Sequence, residues 1–545
     1  MKRRLFGMRL FALCLALWML LLTVVACNGG GASVETTTWG EETTTVPEEE
    51  TTTALEEETT TASEEETTTV FEEETTTAPE EETTTASREE ETTAPPEDDP
   101  PSQGGTQPSA EITLNGIALS SYSIVYNAED TDYSKRAAEY IRDEIAERTG
   151  VTLALLEDGS ARTAHEIVVG KTGRLTSQNL SADLEGVQFA IYANHRDIAL
   201  KAPYFVIAAA AYYFVETYIA EDSNELSVPK TLTVCQPITQ TAKNYIFLIG
   251  DGMGVKQTRL FEVMDAATSG SKAYSDGEDV FYGYLLPYEG RAKTNSLSGV
   301  TDSAAAATAL ASGFKTINGY VGMDRYLQNV TSLTELAASM GMATAVMSTE
   351  VATGATPASF SAHTSSRNNT AEIMADQAQL TQLSGTIIRC NYNYYDVAYL
   401  HNMEMAITDT LSTLSLDEDG FFLMYEEAYV DKHSHNQNMS SAFDALVRFN
   451  QAIGLFMEYA FYHPDTVLLI TADHETGGMI SDGNGGFVYT HGSHSGQDVP
   501  VFAYGAGMEV FHDVTVENVQ IPKTFASMMG EDTFGDMTQY PSLIP

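Results

Sequence analysis

The chain has 545 residues and a formal net charge of −49, from 77 acidic side chains against 28 lysines and arginines. A chain of this length is too long for a single hydrophobic core, so we expect two folded domains together with non-globular segments. The acidic balance excludes nucleic acid as a partner held by charge, because the phosphate backbone would be repelled.

Residues 1–26 are predicted to be a lipoprotein signal peptide. A basic segment at residues 2–9 precedes an apolar stretch at residues 10–25, and small side chains come just before Cys27. This pattern is typical of a bacterial signal whose cleavage leaves a lipidated cysteine at the new N-terminus. A plain signal peptide or a membrane-anchor helix is the alternative, although the apolar stretch is short for a spanning helix. We therefore expect a lipid anchor in the membrane through Cys27, on the extracellular face of a bacterial cell.

Residues 27–108 are predicted to be a disordered linker rich in threonine and glutamate. Much of this segment repeats a unit close to Thr-Thr-Thr-Ala-x-Glu-Glu-Glu. It has too few apolar side chains to build a core, and its like charges repel one another, so the chain should be extended. A spacer that holds the folded part away from a membrane is the simplest role, and the threonines are also candidate acceptors for O-linked glycans.

Residues 109–238 alternate strand and helix, which predicts a small accessory α+β sandwich with helices on one face. The predicted strands cover residues 123–126, 151–156, 166–170 and 187–192, and the predicted helices cover residues 132–149 and 205–219. The run at residues 166–174 resembles the N-terminal domain that precedes the catalytic modules of several glycoside hydrolases. That resemblance implies a contact with cell wall or glycan. A module that only packs against its neighbour is the alternative, and it is the interpretation that we favour.

The catalytic domain is predicted at residues 241–545, where strands and helices alternate. Three apolar runs end in acids or histidine, at residues 246–251, 421–426 and 467–474. Such runs are typical of strands buried on both faces of a parallel sheet, and ligands of these sheets gather at the carboxyl ends of the strands. Carboxylates brought together there would repel one another, so we expect multivalent cations among them. The sequence therefore predicts a metalloenzyme site at one sheet edge.

Seven motifs in this region resemble those of the alkaline phosphatase family and occur in the family's order. They are residues 250–254 (GDGMG), 300–304 (VTDSA), 313–316 (GFKT), 355–357 (ATP), 471–474 (TADH) and 494–496 (HSG), and Glu426 with Asp431 and His435. The resemblance covers residues 241–545. It implies an α/β fold with a central, mostly parallel sheet and helices on both faces, and hydrolysis of phosphate monoesters.

Ser303 is the candidate nucleophile. It precedes an alanine-rich run with strong helix propensity, which would place its hydroxyl at a helix N-terminus, where partial positive charge favours an alkoxide and a bound phosphate. A serine also needs a metal or a base to become a nucleophile. Taken alone, a serine in this position is most simply a helix N-cap. The neighbouring metal motifs favour the nucleophile.

Asp431 and His435 are four residues apart, so a helical turn would present both side chains on one face, a spacing suited to one Zn²⁺. His494 lies in a stretch rich in glycine and serine and is the candidate third ligand. By resemblance to the family, these three residues hold one zinc ion. His433 and His491 are the competing ligands, and they fit the family pattern less well.

The resemblance implies that a second zinc ion is bound by Asp251, Asp473 and His474. Ser303 would approach this ion, whose charge would lower the pKa of the hydroxyl. Two metal ions about 4 Å apart can stabilise the attacking and leaving oxygens of an in-line displacement. A strand-end turn without metal is the alternative for residues 473–474.

A magnesium ion is implied as the third metal, bound by Asp251, Thr356 and Glu426, which are oxygen donors of the kind that Mg²⁺ prefers. At this point the chain departs from part of the family. Gly354 stands where many members carry an aspartate or histidine that supports this ion. The magnesium site is therefore expected to be weaker, more hydrated or differently occupied.

Arg367 resembles the family arginine that grips two phosphate oxygens, a task suited to a planar guanidinium. An arginine in a polar stretch is otherwise an ordinary surface residue. Asp302 is expected to orient this arginine by a salt bridge. The implied reaction has two displacements: Ser303 attacks the monoester to give a phosphoserine, and water then hydrolyses that phosphoserine to release phosphate.

Other functions fit parts of this sequence. The same metal scaffold serves phosphodiesterases, sulfatases and phosphomutases, although Arg367 and the pair Asp302 and Ser303 favour monoesters. A surface-binding or adhesion protein, acting through the accessory domain, is the alternative outside the enzymes. Members of the family are commonly homodimers, so the resemblance also suggests a homodimer.

Overall fold

Two β-sheets organise the chain in a computed structural model that describes residues 111–127, 132–178, 180, 182–264, 280–391 and 399–544. The predicted signal peptide, Cys27 and the repeat linker lie outside these residues. Helices within the described ranges fall short of the length and apolar character needed to cross a bilayer.

The first sheet lies between residues 113 and 235 and has six strands. The elements of this region are β1 (Thr113–Leu114), β2 (Ile117–Ala118), β3 (Tyr122–Tyr126), α1 (Asp132–Thr149), β4 (Ala154–Glu157), β5 (His165–Val169), α2 (Leu175–Gln178), β6 (Phe189–Ala193), β7 (Ile198–Lys201), α3 (Ile207–Tyr218), β8 (Glu225–Leu226) and β9 (Thr233–Cys235). The strand order is β4-β3-β5-β7-β6-β9, and β1, β2 and β8 form a separate small sheet. Strands β3, β4, β5 and β7 are parallel, whereas β6 pairs antiparallel with β7 and β9.

The two long helices of this region agree with the sequence prediction. Helix α1 spans the predicted residues 132–149, and Gly150 follows it with φ +74°, a left-handed conformation that suits glycine at a helix end. Strands β7 and β9 were not predicted. Strand β7 has only four residues and follows a turn in which the Asn194 side chain accepts hydrogen bonds from the backbone of Arg196 and Asp197. So short a run shows no clear alternation in sequence.

The second sheet has eight strands and occupies the predicted catalytic domain. Its strands are β10 (Asn244–Gly250), β11 (Tyr288–Lys293), β12 (Ala343–Ser348), β13 (Ile387–Cys390), β14 (Phe421–Glu427), β15 (Thr466–Thr471), β20 (Val499–Tyr504) and β21 (Thr515–Glu517), in the order β13-β12-β14-β10-β15-β20-β11-β21. Four two-residue strands lie beyond β15: β16 (Glu475–Thr476), β17 (Ile480–Ser481), β18 (Phe487–Val488) and β19 (His494–Ser495). The five strands from β13 to β15 in this order are parallel, and β20 is antiparallel to both of its neighbours. The expectation of a mostly parallel sheet is confirmed.

Helices cover both faces of this sheet, as predicted. They are α4 (Val255–Thr258), α5 (Ser303–Ser312), α6 (Leu333–Ser339), α7 (Ala355–Ser359), α8 (Thr370–Ser384), α9 (Tyr399–Leu414), α10 (Tyr429–His435), α11 (Met439–Tyr462) and α12 (Gln520–Met528). Side chains three residues apart on a strand point to opposite faces. On β14, Phe422 stacks on Phe360, which follows α7, while Tyr425 contacts Phe456 of α11.

Helix α11 packs against both the second sheet and the accessory region. Phe205 lies 4.8 Å from the ring of Tyr282 and 5.9 Å from that of Phe461 at the end of α11. Beside this apolar contact, a nitrogen of Arg136 lies 2.8 Å from a carboxylate oxygen of Glu458. The accessory region therefore shares a buried core with the larger sheet, as a packing module would.

Candidate metal centre and active site

Three buried strands bring acids to one edge of the large sheet. Strand β10 lies between β14 and β15, so that Ile249 is opposite Glu426 on one side and Thr471 on the other. Asp251 follows β10, Glu426 lies at the end of β14, and Asp473 follows β15. The carboxylates predicted to meet at the carboxyl ends of these strands do lie together there.

One oxygen of each of these carboxylates lacks a hydrogen bond in the described part of the chain. Asp251, Glu426 and Asp473 are at most 4% exposed, and each has one buried oxygen without a hydrogen-bond partner among the described residues. Burial, reinforced by the charge of Asp473, raises the pKa of Asp251 well above its ordinary value. Burial and then the charge of Glu350 raise the pKa of Glu426 to about 8. A bound cation would relieve both penalties.

His474 lies at the centre of this edge and is fully buried. Its Nε2 is 3.1 Å from Asp473 Oδ2, 3.6 Å from Asp251 Oδ1 and 3.2 Å from Ser303 Oγ. Its other ring nitrogen, Nδ1, is 3.2 Å from Thr476 Oγ1. Nε2 is thus the nitrogen that faces the acids and the serine, as a metal-binding nitrogen would.

Asp431, His435 and His494 form a second group of donors beside the first. His435 Nε2 is 3.3 Å from Asp431 Oδ2, and His494 Nε2 is 3.1 Å from His435 Nε2. Each imidazole is also held through Nδ1, at 2.9 Å from Gly492 O for His435 and at 2.8 Å from Thr301 O for His494. A histidine fixed by its far nitrogen in this way is oriented to offer the near nitrogen to a metal.

Five of the predicted zinc ligands form two groups of atoms close enough to share an ion, whereas Asp473 is in neither group. In one group are Asp431, His435 and His494, and in the other are Asp251, Asp431 and His474. Asp431 thus lies between the two groups, although the resemblance assigned it only to the first. Neither group in the described part of the chain contains His433 or His491, so the structure separates the predicted ligands from their competitors.

Thr476 is a site residue that the sequence analysis missed. Its hydroxyl donates to Asp431 Oδ1 and lies beside His474 Nδ1, so it connects the two groups of donors. Residues 471–476 continue the strand-end motif, which is the only sequence signal that pointed to this threonine.

Ser303 is buried and is the first residue of α5. The N-cap of this helix is Asp302, whose Oδ1 accepts a hydrogen bond from the Ala305 backbone at 3.0 Å. The alternative in which Ser303 caps the helix is therefore wrong for this structure. Because Asp302 makes the capping bond, the serine hydroxyl is directed at His474.

Asp302 also holds Arg367, as predicted. Its Oδ2 is 3.3 Å from Arg367 Nη1 and accepts a hydrogen bond from the Gly319 backbone at 3.0 Å. The backbone of Arg367 donates in turn to Gly319 O at 2.8 Å. The arginine side chain is 37% exposed, so its guanidinium is both anchored and open to an incoming anion.

The predicted magnesium ligands Thr356 and Glu426 are both fully buried. Ser348 donates a hydrogen bond to Glu426 Oε2, and Lys432 Nζ donates to Glu350 Oε2 at 2.6 Å. Sequence reasoning missed Ser348 and Glu350, since neither lies in one of the seven motifs.

The fold and the site define an α/β protein whose sheet edge presents a buried serine among carboxylates and histidines suited to metal ions. Residues 242–398 and 395–491 match the family model described as alkaline phosphatase. Residues 242–491 of this chain are therefore similar to the alkaline phosphatase family.

Curated relatives show the same similarity. Alkaline phosphatase 3 of Bacillus subtilis (strain 168) is 28% identical over 294 residues, covering 45% of this chain and 63% of that protein. Alkaline phosphatase of Escherichia coli (strain K12) is 37% identical over 135 residues, covering 23% of this chain and 26% of that protein. The structure of alkaline phosphatase from the Antarctic bacterium TAB5 aligns at 27% identity with a TM-score of 0.46, over 53% of this chain and 99% of that one. The chain thus spans less than two thirds of the length of these curated relatives.

Proposed function

We propose that this chain is an alkaline phosphatase that hydrolyses phosphate monoesters through a phosphoserine at Ser303. The observation that carries the proposal is the position of the serine. Its buried hydroxyl stands at the positive end of α5, 3.2 Å from His474 Nε2. Three carboxylates at this edge have an oxygen without a hydrogen-bond partner among the described residues.

The donors fit the metals that the resemblance implies. Asp431, His435 and His494 offer the oxygen and nitrogen ligands that Zn²⁺ takes. Both imidazoles are held in place by a contact between Nδ1 and a backbone carbonyl oxygen. Asp473 and His474, with Asp251, would hold a second zinc ion. When bound, such ions lower the pKa of a serine hydroxyl and neutralise charge on the attacking and leaving oxygens.

Magnesium would be held by Asp251, Thr356 and Glu426. This donor set contains only oxygen, which suits a hard cation. The buried Glu426 Oε1 and Thr356 Oγ1, which have no hydrogen-bond partner among the described residues, are the atoms available to it.

The protein's own residues supply the nucleophile and bind the phosphate group. Ser303 Oγ forms a bond to phosphorus while the bond to the ester oxygen breaks, and the alcohol leaves. Water then takes the phosphoryl group from the serine, which frees inorganic phosphate. Arg367 binds two phosphate oxygens, and Asp302 keeps that arginine in place through the contact at 3.3 Å.

We further propose that the enzyme is a lipoprotein. In this proposal residues 1–26 are a cleaved signal, Cys27 carries the lipid on the extracellular face of the membrane, and residues 27–108 are the spacer. The pattern of residues 2–27 supports it. Cell-wall or glycan contact by the accessory region and a homodimer are further proposals, which rest on resemblance alone.

Hydrolysis assays on the purified chain test the proposed activity. The substrates are p-nitrophenyl phosphate, bis-p-nitrophenyl phosphate and p-nitrophenyl sulfate, each measured before chelation, after chelation and after return of Zn²⁺ and Mg²⁺. We expect hydrolysis of the monoester to be faster than that of the other two substrates. This activity should be lost on chelation and restored when the metal ions are returned. Turnover of only the diester or the sulfate would keep the metal centre and overturn the substrate class.

A further inference from the structure

The carboxylate of Glu350 fills the volume that Gly354 leaves open. A Cβ atom built on Gly354 would lie 1.9 Å from Glu350 Oε1 and 2.3 Å from its carboxyl carbon. Any larger residue at position 354 would therefore collide with this carboxylate unless the glutamate moved. The glycine and the glutamate together place an acid where a side chain at position 354 would otherwise be.

Glu350 is connected to the buried end of β14. Its backbone N–H donates to Ser348 Oγ at 3.0 Å, and that hydroxyl donates in turn to Glu426 Oε2. The Glu350 side chain is only 16% exposed. It is thus fixed beside Glu426 and remains within reach of water.

Lys432 forms an ion pair with one of the two carboxylate oxygens of Glu350. The ammonium group binds Oε2 at 2.6 Å, while Oε1 is the oxygen that lies over Gly354. Lys432 follows Asp431 directly in α10, so this ion pair also connects Glu350 to the helix that carries two of the predicted zinc ligands.

An independent observation points to a cation at this place. Glu426 is fully buried, yet its Oε1 has no hydrogen-bond partner in the described part of the chain, and the same is true of the buried Thr356 Oγ1. Buried carboxylate oxygens without a donor are costly, and Lys432 is already bound to Glu350.

We propose that Glu350 supplies the carboxylate that Gly354 lacks, and that it holds the third cation of the site together with Asp251, Thr356 and Glu426. The cation is a hard divalent ion such as Mg²⁺, since every donor is an oxygen. Lys432 is a positioning residue that fixes the Glu350 carboxylate. This inference rests on the proposed function, because it concerns the same site.

Magnesium affinity tests the inference without relying on turnover. The zinc-loaded chain is titrated with Mg²⁺ by calorimetry, and bound zinc and magnesium are counted by elemental analysis. For Glu350→Gln we expect Mg²⁺ affinity to fall by about tenfold or more while zinc content is unchanged. Glu418→Gln, which removes an exposed acid elsewhere, is the matched control and should bind Mg²⁺ as the parent does.

A double variant tests whether a carboxylate at position 354 can replace the carboxylate of Glu350. Gly354→Asp combined with Glu350→Ala moves the carboxylate to position 354 and removes the collision, so Mg²⁺ affinity should recover relative to Glu350→Ala alone. Glu350→Asp, which keeps the charge, should lie between the parent and Glu350→Gln. Circular dichroism melting establishes that each variant is folded.

Two results overturn the inference. One is equal Mg²⁺ affinity in the parent and Glu350→Gln, and the other is a zinc-loaded parent that binds no Mg²⁺. If the parent nevertheless hydrolyses p-nitrophenyl phosphate, the proposed function stands without the inference. A parent that binds Mg²⁺ but turns over no monoester overturns the function and leaves the cation site supported.

Discussion

Both sheets bury carboxylates, but they treat them differently. In the accessory sheet, Glu166 is fully buried and Asp197 is 2% exposed. Arg174 Nε lies 3.2 Å from Glu166 Oε2, and Arg162 forms an ion pair with Asp197. Neutral donors add to this, since Thr176 Oγ1 binds Asp197 Oδ2 at 2.9 Å. Each acid of the accessory sheet is therefore compensated within the protein.

Among the described residues, no arginine lies beside the buried acids at the edge of the large sheet, and Asp473 is paired instead with His474 at 3.1 Å. Asp251, Glu426 and Asp473 face one another, with Lys432 as the nearby cation, and that lysine is bound to Glu350. A buried charge needs an opposite charge close by. Where the protein supplies it, the acid is structural. Where the protein supplies no opposite charge, the buried acids are suited to binding a metal cation. The two sheets differ in this compensation of their buried acids.

The largest effect should come from Ser303→Ala. Removing the nucleophile should lower kcat on p-nitrophenyl phosphate by roughly 10³-fold or more. Zinc content should be unchanged, because the aspartates and histidines remain. The measurement is steady-state kinetics together with elemental analysis.

Ser177→Ala, in α2 of the accessory region, is the matched control. It also removes a buried hydroxyl, one that donates to Gly170 O at 2.9 Å, and it should leave kcat unchanged. Full turnover by the Ser303→Ala protein would contradict the covalent mechanism. Loss of the Ser303 hydroxyl would then affect kcat no more than loss of the Ser177 hydroxyl does.

Neutralising one acid in each sheet should change stability in opposite directions in the metal-free protein. Glu166→Gln leaves Arg174 without its buried partner and should lower the free energy of unfolding by about 3 kcal/mol. Asp251→Asn removes one of several mutually repelling charges and should raise it by about 1 kcal/mol or more. Urea unfolding of the chelator-treated proteins measures both. A loss of stability in Asp251→Asn would mean that this acid too is compensated within the protein.

A further expected effect is the pH dependence of stability in the metal-free protein. The pKa of Glu426 is raised to about 8 in the folded state, above its ordinary value of 4.5, so the folded protein binds this proton more tightly than the unfolded chain does. The contribution of Glu426 to stability should therefore be fully present below pH 4.5 and fall as pH rises toward 8, by at most about 1.4 kcal/mol per pH unit.

The variant Glu426→Gln isolates this titration, because it cannot gain or lose the proton. Its melting temperature should fall less than that of the parent between pH 5 and pH 8, measured by circular dichroism after chelation. Parallel curves for the two proteins would show that Glu426 does not carry the dependence.

Much of the fold could be predicted because its elements are long and strongly patterned. The buried runs that became β10, β14 and β15 have no polar interruption, and helix α1 has a clear apolar stripe followed by a glycine. The short strands β7 and β9 were missed because strands of three or four residues take their identity from their neighbours in the sheet.

The site shows the same division. Residues of the strand-end motifs were predicted, since a strand carries its end residues to a known edge of the sheet. Thr476, Ser348 and Glu350 were not predicted, because what matters for them is contact with residues distant in the chain. Glu350 and Lys432 are 82 positions apart and meet only in the folded protein.

By itself, the sequence predicted candidate site residues and the strands that bring them to one edge, because hydrophobic patterning and motif order are local properties. Only the tertiary structure decided how charge is balanced there. It assigned the helix cap to Asp302 and so left the Ser303 hydroxyl facing His474. It also placed Glu350 over Gly354 and arginines beside Glu166 and Asp197 of the accessory sheet. Electrostatic compensation depends on distances of a few ångströms between residues far apart in the chain, and these distances exist only after folding.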